Sequence, residues 1–239
     1  MSQGIYTATS GAVARQQQLN QVSHNLANLD TVGHRAVTTS FEEVLVEATG
    51  AHRHVRPTEQ LVDPTPGTLE RTGNPLDLAL AGPGFFLVQR GEEVALTRAG
   101  NFRLTSQGSL VTASGDPVLN TQGSPILIPS DSTEIFIDSR GQIQDQLGFI
   151  DDLAVVTVDD PRALRPFGES LFLADGQPTQ PLQDFSLEQG FLEKSNVNAL
   201  QGITDLVALQ RHFETMQQLI QTYRSMDNTA ISQVGRPPA

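Results

Sequence analysis

Cysteine and tryptophan are absent from this sequence, and only two of its 239 residues are tyrosine. Without cysteine the chain cannot form a disulfide, use a thiolate as a nucleophile or bind a metal through sulfur. Charged residues are also scarce, at 18% against roughly 25% in an ordinary soluble domain. Much of the surface must therefore be polar but uncharged. Such a surface suits contact with other proteins, because few charges have to be desolvated.

The formal net charge is −12, and no cluster of lysine or arginine offsets it. Nucleic acid and anionic membrane surfaces repel such a chain, so neither is an expected partner. No apolar run reaches the 18 or so residues that span a bilayer. The first residues also lack the basic and apolar regions of a secretory signal. We expect no membrane insertion and, if the protein is exported, no cleaved signal peptide.

Apolar residues recur at heptad spacing at both ends of the chain, which predicts two long helices with narrow apolar seams. Arg15 and Asp227 interrupt the seams, and Arg15 is the only Lys, Arg, Asp or Glu before Asp30. The second helix is expected over about 199–231, capped by Asn196 or Asn198. The seams could form a helical hairpin within one chain, or they could also pack between chains. The predicted seam residues are Ile5, Ala12, Leu19, Val22, Leu26, Leu206, Leu209, Phe213, Met216, Ile220 and Tyr223.

Between the ends the apolar pattern changes to period 2, with frequent glycine-containing turns, which predicts many short antiparallel strands in a sandwich or barrel. Hairpins are expected around Arg90-Gly91, within 102–112 and within 136–145, and a further strand in LAVVTV (153–158). The fold class is therefore α+β: long N- and C-terminal helices packing as a discontinuous coiled-coil domain, with an inserted antiparallel all-β module. The predicted boundaries are 1–47 and 191–239 for the helical domain, 48–70 for an extended connector and 71–190 for the β-rich module.

No candidate catalytic, metal or cofactor site stands out. His52 and His54 lack the further ligands of a structural zinc site. The acid pairs 151–152 and 159–160 flank the strand-like run LAVVTV (153–158), and solvated strand ends explain them better than a glycosidase pair does. The segment GNPLDLALAGPG matches neither a P-loop nor G-x-G-x-x-G. We therefore predict that the chain is not an enzyme and has no cofactor.

Several strings, in order along the chain, resemble those of the flagellar rod and hook protein family. They are SHNLANLDTVGHR (23–35), TGNPLDLALAGPGFFLVQ (72–89), TRAGNFRLTSQGSLVTASGDPVL (97–119) and LEKSNVNAL (192–200). In the first string Gly33 allows a positive φ just past the helix. The residues that carry the resemblance are Ser23, Asn25, Leu26, Ala27, Asn28, Thr31, Gly33, Arg35, Thr72, Gly73, Asn74, Pro75, Leu76, Asp77, Gly84, Phe85, Phe86, Thr97, Arg98, Gly100, Phe102, Ser195, Asn196 and Val197.

The resemblance implies a structural subunit of the bacterial flagellar basal-body rod, which spans the periplasm. Such a subunit assembles helically through its terminal helices and transmits torque. The implied partners are copies of itself, other flagellar rod and hook proteins, and the flagellar type III export machinery. Hook proteins of this family are ordinarily much longer. Only the 38 residues 34–71 separate Gly33 from Thr72, which favours a proximal rod subunit.

Three alternatives remain at this point. The chain could be a distal rod protein or another axial protein of the hook and basal body. It could be an envelope enzyme or a glycan-binding β module, which would need acids converging on a cleft. It could also be a type III translocator or filament protein from outside the flagellum, although the strings TGNPLD and TRAGNF argue against that alternative.

Overall fold

A computed structural model describes residues 3–46, 52–132, 134–168 and 170–234. The chain divides into two compact units. The first is built from the described parts of 1–27, 38–60 and 198–239, and the second from those of 28–37 and 61–197. This division places 28–37 and 191–197 with the β-rich unit, whereas the predicted boundaries grouped them with the terminal helices. Both units are therefore discontinuous in sequence.

Two long antiparallel helices form most of the first unit, α1 (Gln3–Ala27) and α2 (Ala199–Val234). Gly11 of α1 faces Met216, and a Cβ placed on it would lie 3.9 Å from that side chain. Gly202, near the start of α2, faces Leu26 near the end of α1 in the same way, at 3.8 Å. The 36 residues of α2 extend about 54 Å at 1.5 Å per residue. The prediction of helices at both ends is confirmed.

The start of α2 is capped by the second of the two predicted asparagines. Asn198 Oδ1 accepts a hydrogen bond from the backbone N–H of Gln201 at 3.1 Å, which satisfies one of the free donors of the first turn. Asn196 is engaged elsewhere, in the second unit.

Burial along α2 follows a single narrow stripe. Its half-buried apolar residues step by three and four positions, and nearly all the residues between them are exposed. On α1, Ala8 and Ala12 are buried, and with Gly11 they keep that stretch of the helix thin enough for Met216 to lie against it. The half-buried stripe of α2 comprises Leu206, Leu209, Phe213, Met216, Ile220 and Tyr223.

Two long strands, β1 (Val37–Val46) and β2 (His52–Val62), pair as a two-stranded sheet. Apart from Val37, Leu61 and Val62, their described residues belong to the first unit. The second of these strands lies within the segment 48–70 that was expected to be an extended connector.

The second unit consists of short strands, and every pairing with a described register is antiparallel. The hairpins predicted around Arg90-Gly91, within 102–112 and within 136–145 are confirmed, as is the strand in LAVVTV. The strands are β3 (Leu69–Arg71), β4 (Leu78–Ala81), β5 (Phe85–Arg90), β6 (Glu93–Thr97), β7 (Arg103–Leu104), β8 (Leu110–Val111), β9 (Phe136–Ile137), β10 (Gln142–Asp145), β11 (Gly148–Asp152), β12 (Val155–Val158), β13 (Arg165–Pro166), β14 (Leu171–Leu173), β15 (Thr179–Pro181), β16 (Ser186–Gln189) and β17 (Phe191–Glu193), with a short 3₁₀ helix at Pro161–Ala163.

The largest sheet has six strands in the order β13-β14-β6-β5-β12-β15. Both of its edge strands are two or three residues long and end in proline. Proline has no N–H to offer to another strand, so these edges resist pairing with a further chain. The smaller sheets pair β16 with β4, β17 with β3, β7 with β8, and β10 with both β9 and β11.

Apolar residues cover both faces of the six-stranded sheet. Along β5, Phe86 and Val88 join one buried cluster, while Phe85 and Leu87 pack in a second. Successive side chains of a strand point to opposite faces, so the two clusters lie on opposite sides of the sheet. Burial on both faces makes this sheet the centre of the second unit and the support of the site described below.

Gly11 and Gly100 have different surroundings, so we predict opposite effects on stability when each is replaced by alanine. Gly11→Ala should stabilise the protein by about 0.5–1 kcal/mol, because Gly11 lies inside a helix with room for a Cβ. Gly100→Ala should destabilise it by about 1–3 kcal/mol through overpacking, because its Cβ would lie 1.7 Å from the carbonyl oxygen of Leu78. Urea denaturation followed by circular dichroism measures both changes. A loss of stability in Gly11→Ala would contradict the helix packing described here.

Candidate functional site

Three of the segments that carry the family resemblance meet inside the second unit. The segment after α1 supplies Gly33 and Arg35, the residue after β6 is Arg98, and the end of β17 and the segment beyond it supply Glu193 and Asn196. We call these five residues the motif junction. The backbone N–H of Gly33 donates to the carbonyl oxygen of Glu193 at 2.8 Å. The junction thus joins the residues that follow the first helix to those that precede the second.

Glu193 lies between two arginines at the centre of the junction. Its Oε1 is 2.7 Å from Arg35 Nη2, and its Oε2 is 3.3 Å from Arg98 Nη1. The backbone N–H of Gly67 donates to Oε1 at 2.8 Å. The side chains of Arg35, Arg98 and Glu193 are 2%, 5% and 2% exposed. Three fully buried ionic groups therefore depend on one another for charge compensation.

Backbone carbonyl groups accept further hydrogen bonds from both arginines. Arg35 Nη1 donates to the carbonyl oxygen of Thr65. Arg98 Nη2 donates to the carbonyl oxygen of Gly82 at 2.6 Å, and its Nη1 to that of Leu80 at 3.3 Å. Each arginine thereby ties a further stretch of backbone to the junction.

The cluster carries two positive charges and one negative charge. Burial lowers the pKa of Arg35, and Glu193 opposes that shift. Burial also lowers the pKa of Arg98 to about 10, with Glu193 raising it and the neighbouring Arg35 lowering it further. Arg98 therefore remains a cation at neutral pH. Its Cζ lies 5.4 Å from the centre of the Phe85 ring, whose negative face partly compensates the excess charge.

Gly33 is required by both its conformation and its surroundings. Its φ is +66°, in the left-handed region that side chains other than glycine disfavour. A Cβ on Gly33 would lie 2.2 Å from the backbone nitrogen of Ala99. The positive φ predicted at this position is confirmed, and the close approach brings the first motif against the third.

Asn196 uses both ends of its side-chain amide. Its Oδ1 accepts from the backbone N–H of Ala36 at 2.7 Å. Its Nδ2 donates to the carbonyl oxygen of Thr65 at 3.0 Å and lies 3.3 Å from that of Asp63. Asn196 therefore links Ala36, just before β1, to the segment after β2 that contains Asp63 and Thr65.

The TGNPLD segment forms a separate turn beside these residues. Asp77 accepts from Thr72 Oγ1 at 2.6 Å and from Asn74 Nδ2 at 2.9 Å. The carbonyl oxygen of Asp77 accepts from the backbone N–H of Gly190 at 2.7 Å, and that of Gly190 accepts from the N–H of Thr72 at 2.8 Å. The turn thereby fixes the chain just before β17.

Most of the other motif residues support the core. Phe86 and Phe102 meet edge to face with ring centres 5.2 Å apart, and Thr97 Oγ1 donates to the carbonyl oxygen of Ser170 at 2.8 Å. Leu76 packs against the larger apolar cluster, and Gln189 Nε2 donates to the carbonyl oxygen of Pro75 at 2.9 Å. Gly73 and Gly84 have φ of +76° and +115°.

Smaller contacts involve the motif residues at either end of the junction. Ser195 Oγ accepts from the backbone N–H of Val197 at 3.3 Å. After α1, Thr31 Oγ1 donates to Asn28 Oδ1 at 3.1 Å. Within α1, Asn25 Oδ1 accepts from Gln21 Nε2 at 3.4 Å. Ser23 and Ala27 also lie in that helix.

The predicted seam residues lie on the two helices of the first unit and are not part of the junction. Leu19, Val22 and Leu26 are half-buried, like the six seam residues of α2. Ala12 is buried, and the side chain of Ile5 lies outside the part of the chain that is described.

The acid pairs considered above have structural contacts. Asp151 accepts from Asn120 Nδ2 at 3.0 Å, and Asp160 accepts from the backbone N–H of Arg162 at 3.0 Å. Among the described residues, no group of three or more His, Asp or Glu is placed to hold a metal. The side chains of His52 and His54 lie outside the described part. No described helix is long and apolar enough to cross a membrane.

Sequence reasoning did not identify the ionic cluster. Arg35, Arg98 and Glu193 each lie in a quoted string, but no periodicity relates positions so far apart in the chain. The sequence did contain a local signal. Arg98 directly follows a strand and Glu193 ends one, and a buried or half-buried apolar residue lies two positions or fewer before each of them. A charge in such a setting is usually paired.

Three family models match segments of this chain that contain the motif residues. Residues 5–35 match the flagella basal body rod protein family, residues 79–145 the flagellar hook protein FlgE/F/G D1 domain, and residues 188–233 the flagellar basal body rod FlgEFG protein C-terminal family. Each of these matches overlaps a segment that contributes to the junction or leads into it.

Curated relatives match over nearly the whole chain. The flagellar basal-body rod protein FlgF of Rhizobium meliloti (strain 1021) is 33% identical, over 98% of this chain and 99% of its own length. The flagellar basal-body rod protein FlgG of Bacillus subtilis (strain 168) is 31% identical, over 93% of this chain and 95% of its own. FlgF of Caulobacter vibrioides (strain ATCC 19089 / CIP 103742 / CB 15) is 27% identical, over 99% of both.

The described fold and these matches define the class as an axial structural protein of the bacterial flagellum rather than an enzyme. Within that class, the chain belongs to the flagellar basal-body rod protein family. The prediction that it is not an enzyme is confirmed, since its relatives are rod proteins.

Removing the central carboxylate should destabilise the second unit far more than removing a surface carboxylate. Glu193→Gln removes the carboxylate that pairs with both buried arginines, for which we expect a loss of about 3–5 kcal/mol. The matched control is Glu70→Gln, because Glu70 forms a 2.7 Å ion pair with Lys194 while 57% exposed. That pair contributes at most about 1 kcal/mol.

Urea denaturation followed by the NMR signals of the second unit compares the two variants. Equal losses of stability would show that the ionic cluster does not hold the junction together.

Proposed function

We propose that this chain is a structural subunit of the flagellar rod that assembles helically through its terminal helices and transmits torque along the assembly. One observation supports this more than any other: α2 carries large apolar residues on its exposed side. Isolated soluble proteins seldom leave so many on one helix. They are Leu200, Ile203, Val207, Leu219 and Met226, which are 42–77% exposed.

The two sides of α2 suggest two different contacts. Its narrow half-buried stripe faces α1, and we propose that the two seams pack as a coiled coil in a discontinuous terminal domain. Because two helices cover only part of each other, the remainder of both seams is then buried between subunits. Heterologous contacts of this kind repeat without closing, which produces a tube rather than a ring.

The first helix offers a polar surface that neighbouring subunits can cover at little cost. A groove of about 570 Å³ within the first unit is lined by Gln17, Asn20, Gln21 and His24 of α1, and by Thr39, Glu59 and Gln60 of the strand pair. Glu59 is the one acid in that lining.

We further propose that the helices become fully ordered only when the subunit joins its neighbours. Long helices with narrow apolar seams are marginal alone, and burial between subunits repays the cost of ordering them. Such a subunit suits export in unfolded form through the flagellar type III machinery. Its partners are then copies of itself and other rod and hook proteins of the periplasm-spanning basal body.

Within the rod, we propose the proximal position. The short spacing of 38 residues (34–71) between Gly33 and Thr72 supports it, because distal rod proteins carry an extra stretch there. Relatives named FlgF and FlgG match at similar identity, 33% and 31%, so overall similarity does not decide between the two positions.

An aspartate in place of one of the exposed apolar residues of α2 should block assembly without unfolding the subunit. Ile203 is 51% exposed, so Ile203→Asp should leave the circular dichroism and the urea midpoint of the purified chain nearly unchanged. In a strain deleted for this gene, we expect the variant to leave cells non-motile. Electron microscopy of their basal bodies should then show rods ending before the distal section, as in the deletion strain itself.

Gln217→Asp is the matched control, because Gln217 is an exposed polar residue of the same helix. It should restore motility. Normal rods with Ile203→Asp would rule out assembly through this face of α2, and a distal rod in the deletion strain would rule out the proximal position.

A further inference from the structure

A second exposed apolar surface lies in the second unit, on the three-stranded sheet β9–β10–β11. Phe136 and Phe149 are each 59% exposed, and Leu147, in the turn between β10 and β11, is 76% exposed. Exposure of two phenylalanines and a leucine in one small sheet is typical of a contact surface. We call Phe136, Leu147 and Phe149 the aromatic patch.

Strand register places the two phenylalanines on one face of the sheet, on either side of Gln144. Gln144 of β10 pairs with Phe136 of β9 on one side and with Phe149 of β11 on the other. Directly paired residues share a face of the sheet, so the two rings flank Gln144 on one surface. The opposite face carries Ile137 and Ile143, which are buried. The phenylalanines therefore have no place in the core of the unit.

Hydrogen bonds hold the patch in a defined shape. Asp145 Oδ1 accepts from the backbone N–H groups of Leu147 and Gly148 at 2.8 and 3.0 Å. Gln146 Nε2 donates to the carbonyl oxygen of Asp131 at 3.1 Å, which fastens the preceding loop to the turn. A surface that is ordered before binding loses little entropy when a partner arrives.

The chain segment that carries the patch is strongly acidic. Residues 131–152 contain six acids (Asp131, Glu134, Asp138, Asp145, Asp151 and Asp152) and a single basic residue, Arg140. A hydrogen bond from the Ser132 hydroxyl and the N–H groups of the turn lower the pKa of Asp145, so its carboxylate stays ionised. A partner therefore needs basic residues around an apolar centre.

A second copy of this chain fits that requirement poorly. Its net charge is −12. Two of the exposed cations of the second unit are already matched, Arg165 with Asp175 at 2.9 Å and Lys194 with Glu70 at 2.7 Å. The acidic residues of 131–152 would also repel anionic lipid and nucleic acid.

The patch also lies at the edge of the matched family domains. The matched hook-protein domain ends at residue 145 and the matched C-terminal region begins at 188, so Leu147 and Phe149 fall between them. We infer that the aromatic patch binds a different protein, one that presents basic residues around an apolar surface. This contact is separate from the helix-mediated assembly proposed above and does not depend on it.

A pair of designed peptides tests this binding on the full chain. One probe is a 16-residue amphipathic peptide of leucine and lysine, and the other has glutamate in place of lysine. Titrated into ¹⁵N-labelled protein, the lysine peptide should shift the backbone amide signals of Phe136, Gln144, Leu147 and Phe149. The glutamate peptide should leave them unchanged. Shifts confined to α2, or equal shifts with both peptides, would overturn the proposal.

Paired variants provide the control. Phe136→Ser with Phe149→Ser should weaken the lysine peptide at least tenfold at this site, measured from the amide shifts of Leu147 and its neighbours. Leu127→Ser should not weaken it, because Leu127 is 62% exposed outside these three strands. Unchanged binding in the double variant would overturn the proposal. So would self-association of the unmodified chain in sedimentation that the double variant loses, since the occupant would then be a second copy.

Discussion

Glu193 is a single buried carboxylate on which two buried arginines depend, and the second unit is arranged around that dependence. Arg35 follows the first helix, Arg98 directly follows a central strand, and Glu193 ends the last strand before the second helix. Each of these groups would be costly to bury alone. The three segments must therefore be ordered together, and the residues that flank both helices become part of one folded core.

The motif residues around the cluster serve the same constraint. Gly33 permits an approach to Ala99 that any side chain would block. Asn196 links the C-terminal segment to the residue just before β1 and to the segment that follows β2. The resemblance that identifies the family thus rests largely on residues that anchor the ends of the β-rich unit. The helices, by contrast, expose several large apolar side chains. In the assembly proposed above, neighbouring subunits would cover these side chains while the ionic cluster anchors the chain on the β-rich side of each helix.

Local patterns were enough to predict the helices and most hairpins. Heptad spacing identifies α1 and α2 because a helix repeats every 3.6 residues, and turn glycines such as Gly91 separate strands that are adjacent in sequence. The sequence did not reveal contacts between distant segments. The residues next to Glu193 do not indicate that Arg35 and Arg98 are its partners. Asn196 and Asn198 were equally plausible caps for α2, and only the structure shows that Asn196 bonds with Ala36 instead. The pairing of β1 with β2 was not predicted, because the proline-containing segment 48–70 lacks the apolar alternation that indicates a strand.

Native-state hydrogen exchange tests most directly whether the motif junction is part of the core. We expect the backbone amides of Gly33 and Lys194 to exchange only with the global unfolding of the second unit, at the same free energy as the amides of Val88 and Leu96 in its central strands. The N–H of Gly33 bonds to Glu193, and that of Lys194 bonds to Thr68, so both report on the junction. Exchange of these two amides at a free energy several kcal/mol lower would show that the junction opens independently, and would contradict the central role given to Glu193.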